Sequence, residues 1–345
     1  MEFLPRTLGT RPRLACELRA EGVVAARGDD ASGVLSAVSR AGLNGAGGGG
    51  RAAMVAALRR ALEGVMTRTR DVTLVVPDTA ARVLLLEFDT LPGKPAEALA
   101  VVRFRLKKML PFDADDAAVS YQVMTTGKSG VQVVAVAMPR ETLADYEGIV
   151  REAGFEPGAV LPSTLAALAG LVESEAAALV VNSGSEAVTT AIVKAGVLLL
   201  HRTVDLGTNE GVDARAVLSA RLEAEFGGAE FATAETAVGV AVAAVGREIA
   251  VERGAEVAAS ETAQAVSVAA AYFEDTLETA PEVVLATGTL GADALAAVLA
   301  DADVGPVVVR EMVERGMLGA GATSAGLPGG VPLGWLAGVR GALAN

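Results

Sequence analysis

Apolar and polar positions divide the chain into short strands and helices that recur twice in the same order. Residues 13–27 (RLACELRAEGVVAAR) predict two strands joined by a turn near Ala20–Gly22. Residues 31–43 read as a helix, and Gly45–Gly50 as a loop with no side chains to pack. A helix is predicted from Arg51 to Thr67, with Met54, Leu58, Leu62 and Val65 on one face. Strands follow at 72–77 and 82–88, then an amphipathic helix over 96–110 that Pro111 ends. Its predicted core stripe is Leu99, Val102, Leu106 and Met109. Strands at 117–125 and 131–138, a helix at 140–153 stopped by Gly154, and a helix from Pro162–Ser163 to about Val172 complete the first half.

The second half opens with strands at 177–182, 187–194 and 196–204, the first two around a Gly184–Ser185 turn. Helices are predicted at 209–226, 233–253 and 259–276, then a strand at 282–287, a glycine turn and a helix at 291–301. A short strand at 306–309 and a glycine-rich connection, 316–332, lead to a last helix, 333–344. Three strands followed by helices at the head of each half predict a duplicated α/β architecture with a cleft between lobes. The expected division is a first lobe over 1–175 and a second over 176–345. The last helix is expected to pack back on the first lobe, with Trp335 as a half-buried seal.

The bulk properties remove several classes of function. The 345 residues suffice for two cores, and with 52% hydrophobic but only 3% aromatic residues those cores are built from Ala, Val and Leu. A formal net charge of −13 opposes nucleic acid and direct electrostatic docking on anionic lipid. The single cysteine, Cys16, excludes an internal disulfide, and with the single histidine, His201, it argues against a Cys/His zinc site. His201 follows the apolar run Val197–Leu200 and reads as a strand-edge residue rather than a catalytic base. The N-terminus has no signal-peptide pattern, and apolar stretches such as Ala237–Val245 fall short of the roughly 18–20 residues that span a bilayer. The cytoplasm is the expected location. Four cations, Arg103, Arg105, Lys107 and Lys108, cluster on one helix. They are either a solvated face or a docking surface for an acidic segment or lipid headgroups. Phe112, Tyr121 and Tyr146 are expected to pack in the core.

Four segments together resemble the PilM family of type IV pilus assembly proteins, which are actin-like. The first is 103–122 (RFRLKKMLPFDADDAAVSYQ), a helix ending in a Pro-Phe-Asp turn, followed by an acidic stretch and a Tyr-Gln strand. The second is 133–162, a strand, a helix carrying Tyr146, and the sequence AGFEPGAVLP. The third is the strand–turn–strand 179–193 with the strand 197–207 behind it. The fourth is 283–299 (VVLATGTLGADALAAVL), similar to the glycine turn that closes over adenosine in actin-like proteins. The resemblance implies an α/β actin-like (ribonuclease H-like) fold of duplicated lobes with an inserted α+β subdomain at about 78–160. It also implies a scaffold on the inner face of the inner membrane. Such a scaffold binds the cytoplasmic tail of a PilN-like protein and works with the pilus assembly platform and motor proteins. A homo-oligomer is compatible with it. Type II secretion platform proteins are more remotely similar.

The resemblance also locates a nucleotide site, and here the residues depart from it. Actin-like hairpins cradle phosphates on backbone N–H groups, with a carboxylate for Mg²⁺. At the first hairpin Glu17 takes the place of the acid, Arg19 that of the phosphate glycine, and only Gly22 lies downstream. At the second, Asn182 replaces the aspartate, while Ser183, Gly184, Ser185 and Thr189 keep the small-residue character. Gly288, Thr289 and Gly291 form the adenosine turn. The expected state is a pseudo-ATPase with no cofactor, the alternative being weakly bound ATP/Mg²⁺ without efficient turnover. Two other readings of the chain stand beside the scaffold: a filament-forming actin homologue of the division type, and an actin-fold phosphotransferase.

Overall fold

A computed structural model describes residues 13–29, 33–43, 50–66, 68–127, 130–171, 175–206, 235–302, 304, 307–319 and 332–344, with side chains of the long helix from residue 255 onward. The expected helix 209–226 and most of the Gly45–Gly50 loop lie outside the described residues.

Two five-stranded sheets share one topology. In the first, β1 (Leu14–Arg19), β2 (Gly22–Gly28) and β3 (Leu35–Gly42) form an antiparallel meander. To it β4 (Asp71–Val76) and β8 (Glu156–Pro162) add in parallel, giving the order β3-β2-β1-β4-β8. In the second, β9 (Ala178–Ser183), β10 (Ala187–Lys194), β11 (Val197–Asp205), β12 (Val283–Gly288) and β13 (Val308–Glu311) follow the corresponding order, β11-β10-β9-β12-β13. The expected duplication is present in the strand order of each sheet.

The period of two along β1 sorts its side chains. Leu14, Cys16 and Leu18 face a core with Leu58 and Leu62 of α1 (Arg51–Glu63) and Val150 of α3 (Arg140–Glu152). Ala15 faces the opposite core, shared with α4 (Ser163–Ala169) and the last helix, here numbered α7 (Ala337–Ala344). Glu17 therefore also points to that side. Leu179, Val181 and Ile192 of the second sheet pack on Val266 and Phe273 of α5 (Glu235–Leu277) and on Leu295 of α6 (Ala292–Asp301).

Between β4 and α3 the chain inserts a three-stranded antiparallel sheet of order β5-β7-β6. Its strands are β5 (Arg82–Phe88), β6 (Ala117–Gly127) and β7 (Gly130–Pro139). The helix α2 (Pro95–Leu106) seats Val102 and Leu106 against Val133 and Ala135 of this sheet. The strand β8 belongs to the first sheet, so the end of the 78–160 segment lies in the lobe core rather than in the insertion.

Several sequence expectations are corrected. Residues 35–42 form a strand, because pairing along the whole of β2 outweighs the helical propensity of its Ala and Ser residues. The helices expected at 233–253 and 259–276 are one continuous helix, since a single glycine, Gly254, costs only about 1 kcal/mol within a helix. The strand β8 went unrecognised because it contains Pro157 and Pro162, and prolines are tolerated where a strand lies at the sheet edge. Met109 is 46% exposed, beyond the end of α2, and does not join the core stripe. Trp335 is 1% exposed in a 3₁₀ turn (Leu333–Leu336), with the Arg40 guanidinium of β3 stacked 4.7 Å above its ring. No helix among the described residues is long and apolar enough to cross a membrane.

Candidate functional site

The carboxyl ends of the parallel strands converge on one cleft, where α/β sheets place their ligand sites. From the first sheet β1 delivers Arg19, β4 is followed by Asp78, and β8 is followed by Ser163 and Thr164. From the second, β9 delivers Asn182 and Ser183, and β12 ends in Gly288. All of these pieces meet, but they meet one another.

Arg19 spans the gap. Its Nη2 donates to Ser163 Oγ at 2.8 Å and to Asn182 Oδ1 at 2.9 Å, joining the two sheets. Its Nε and Nη2 both reach Glu17 Oε1, at 2.7 and 2.6 Å. Ser163 Oγ donates to the same oxygen at 2.7 Å. Glu17 is wholly buried, and burial pushes its carboxyl above the ordinary range against the pull of Arg19 and Ser163. Behind Ser163, Asn182 Nδ2 donates to Ser163 Oγ and Thr164 Oγ1, each at 2.9 Å, and to Asp78 Oδ2 at 3.2 Å. Asp78 also accepts the Thr164 N–H at 2.9 Å.

Glu21 makes a second crossing. Its Oε1 accepts the Ser185 backbone N–H at 2.7 Å and the Thr289 hydroxyl at 3.0 Å. Burial alone would raise this carboxyl, but the donors on Ser185 and the nearby Arg19 hold it below its ordinary value. A carboxylate of the chain thus rests on the Gly184–Ser185 turn, where a phosphate oxygen would rest in an actin-like hairpin. Opposite it, Glu186 is raised by its burial and by the charges of Glu21 and Asp205.

The adenosine-type turn is also closed by protein. Gly288 has φ +94°, and a Cβ there would stand 2.1 Å from Ser183 O, so the turn lies directly on the second hairpin. Thr289 N donates to Ser183 O at 2.8 Å. Gly291 precedes α6, whose Ala292 N–H is taken by Glu311 Oε1 at 2.9 Å. Thr189 is satisfied within the sheet by Thr203, at 3.0 Å between hydroxyls. Gly22 is used elsewhere: a Cβ on it would come 2.6 Å from Ala41 O, so it serves the packing of β2 on β3. Cleft space of about 40 Å³ remains, lined by Arg19, Glu21, Asp78, Asn182 and Ser185 among others. Small-molecule sites run to about 300–1,000 Å³.

Arg19 and Glu21 occupy the cleft between the two hairpins, and among the described residues no group of three potential metal ligands comes together. Sequence reasoning singled out Arg19, Glu17 and Asn182 but missed Asp78, Ser163, Thr164 and Glu21. The available signal was positional: Pro77-Asp78-Thr79 follows directly on β4, and Ser163-Thr164 follows Pro162 at the end of β8.

The cation cluster lies on α2 and the turn after it. Arg103 turns inward to the Ala114 and Ala117 carbonyls, and Lys107 pairs with Asp115 at 2.5 Å. Arg105 and Lys108 remain exposed. Two larger clefts flank the inserted sheet. One of about 540 Å³ lies between β5 and β11, lined by Leu85, Arg105, Met124, Leu198 and Tyr272 among others. The other, about 280 Å³, lies between β6 and α3, lined by Val119, Met138, Leu143 and Val160 among others.

No protein-family model matches the sequence, and no curated protein matches it. In structure the chain matches a chain of a PilM–PilN type IV pilus biogenesis complex, over 96% of this chain and 97% of that one, at 18% identity and a TM-score of 0.66. The cytoplasmic domain of EpsL, an inner-membrane component of the type II secretion system of Vibrio cholerae, matches 62% of this chain and 77% of its own at 15% identity, with a TM-score of 0.39. A Bacteroides thetaiotaomicron protein with an actin-like ATPase fold covers 86% of this chain and 90% of its own at 10% identity, with a TM-score of 0.42. Two sheets of matching strand order, facing across a hairpin-lined cleft, make this a two-lobed protein of the actin-like fold. Within that class its fold is PilM-like, insertion included.

Proposed function

We propose that this protein is a cytoplasmic scaffold of an inner-membrane assembly platform, of the type IV pilus or a related type II secretion kind. In this reading it holds the cytoplasmic tail of a PilN-like membrane protein, sits at the membrane through that partner, and turns over no nucleotide. The observation that carries the reading is the filled cleft: Arg19 and Glu21 bridge the two sheets where an actin-like enzyme would hold Mg·ATP. The PilM-like fold supports the choice of machine, since the matching chain comes from a PilM–PilN complex. The cleft of about 540 Å³ beside the inserted sheet offers a candidate seat for part of such a tail. A phosphotransferase would need room for nucleotide and acceptor together, and the cleft has about 40 Å³.

Two titrations test this. Mg·ATP added to the purified protein should give no calorimetric signal at nucleotide concentrations up to about 1 mM, a free energy of about −4 kcal/mol. A peptide carrying the cytoplasmic tail of the neighbouring PilN-like gene product should bind in the micromolar range or tighter. Sub-micromolar Mg·ATP binding would overturn the nucleotide-free part of the reading, and failure of every such tail to bind would remove the adaptor part.

A further inference from the structure

The helix α2 is apolar on two opposite sides. Ala98, Val102 and Leu106 are buried on the inserted sheet, yet on the far side Val101 is 37% and Phe104 69% exposed. An apolar stripe of this kind on a helix is normally covered. The uncovered stripe runs Glu97, Val101, Phe104, Lys108, at spacings of four, three and four, which align on one face in the manner of a coiled-coil seam. Lys108 stands in the turn that continues the helix, where Leu110 N still donates to Leu106 O at 3.0 Å.

The charge along this stripe is opposite at its two ends, and that selects an occupant. Glu97 lies at the amino end, while Arg105 and Lys108 lie at the carboxyl end and make no hydrogen bond or ion pair among the described residues. Glu97 meets Lys94 at 3.0 Å, but that pair is well exposed and therefore weak and exchangeable. Two copies of the helix related by a two-fold axis perpendicular to it run antiparallel. Val101 of each then meets Phe104 of the other, and Glu97 meets Lys108. We propose that this chain pairs with a second copy of itself through the outer face of α2. An anionic membrane fits the stripe less well, because Asp113, Asp115 and Asp116 are exposed beside the cations and the chain carries a net charge of −13. One helix face buries less than the roughly 800 Å² per partner of a standard interface, so the dimer is weak, on the order of 10–100 μM.

Sedimentation equilibrium of the full chain, from about 1 μM to about 500 μM, reads the pairing directly. The wild type should move from monomer to dimer across that range, and Phe104→Glu should stay monomeric with an unchanged thermal melt. Glu97→Lys and Lys108→Glu should each weaken pairing about tenfold, and the double exchange should restore it, because the two charges trade places across the axis. This rescue keeps the test decisive if Phe104→Glu fails to fold. A monomer at every concentration overturns the proposal, as does a double variant weaker than either single one. Binding of phosphatidylserine vesicles by a strictly monomeric wild type, lost in Phe104→Glu, would assign the face to lipid and overturn it equally. None of these outcomes depends on whether a PilN-like tail binds.

Discussion

The turns at the heads of the two sheets occupy matching places in a duplicated topology, yet they have opposite chemistry. The first-sheet turn, Arg19-Ala20-Glu21-Gly22, sends two long charged side chains into the cleft. The second-sheet turn, Asn182-Ser183-Gly184-Ser185, offers short side chains and backbone N–H groups. One half supplies what the other half receives. The cleft is therefore bridged by hydrogen bonds from Arg19 and Glu21, while the Arg19–Glu17 ion pair lies on the supplying side. What this teaches is that a turn of short side chains and backbone N–H groups can be satisfied by long charged side chains from across the gap.

The largest way to break this arrangement acts on the receiving half. Gly288 stands at φ +94° with Ser183 O 2.1 Å from where a Cβ would be. Gly288→Ala should cost about 4 kcal/mol, adding a forbidden backbone to a collision with main chain. Gly184→Ala is the internal control: its Cβ would meet Arg19 Nη1 at an ordinary 3.4 Å, and the cost should stay below about 0.5 kcal/mol. Equal urea midpoints for the two variants would mean that the adenosine-type turn does not rest on the hairpin.

The next largest effect acts on the supplying half. Arg19→Ala leaves Glu17 buried without its cation, and removing one partner of a buried pair costs about 3–5 kcal/mol. The pH dependence follows from the direction of the Glu17 shift. Its folded-state value lies above the unfolded one, so the folded state takes up a proton more readily than the unfolded state. The penalty of the charged form is full above the raised value and fades as pH falls through it. The Arg19→Ala deficit should therefore be larger at about pH 8 than at about pH 5. A deficit independent of pH would show that the loss lies in the Ser163 and Asn182 hydrogen bonds instead.

Much of this comparison was legible in the sequence, for a physical reason. Strand–turn–strand hairpins declare themselves through apolar runs around a break, so both turns could be located, and the family resemblance put Arg19 in one and Asn182 in the other as parts of one site. Asp78, Ser163 and Thr164 could not, because their relation is created by the parallel pairing of β1, β4 and β8, which has no local signature. Residues 35–42 were misread for a related reason: Leu35-Ser-Ala-Val-Ser-Arg-Ala-Gly42 is locally ambivalent, and only the partner strand β2 decides it. Phe104 was visible as a letter, but its exposure depends on which side of α2 meets the inserted sheet.

The smallest prediction separates geometry from charge at the second crossing. Glu21→Gln keeps an oxygen for the Ser185 N–H and the Thr289 hydroxyl but removes the negative charge. Hydrogen bonds to a charged acceptor exceed neutral ones, and Glu21 is partly solvated, so the expected loss is only about 1 kcal/mol. The sign with pH is opposite to that of Glu17. The folded-state value of Glu21 is lowered, so its contribution is present above the unfolded carboxylate value and is lost as pH falls through the folded one. Wild type and variant should thus differ in urea at neutral pH and converge in acid, while amide exchange at Ser185 and Thr289 rises in the variant at neutral pH. Curves that stay parallel down to acid pH would mean that the second turn holds Glu21 as a hydrogen-bond acceptor only, and the case for a carboxylate standing in for a phosphate would fail there.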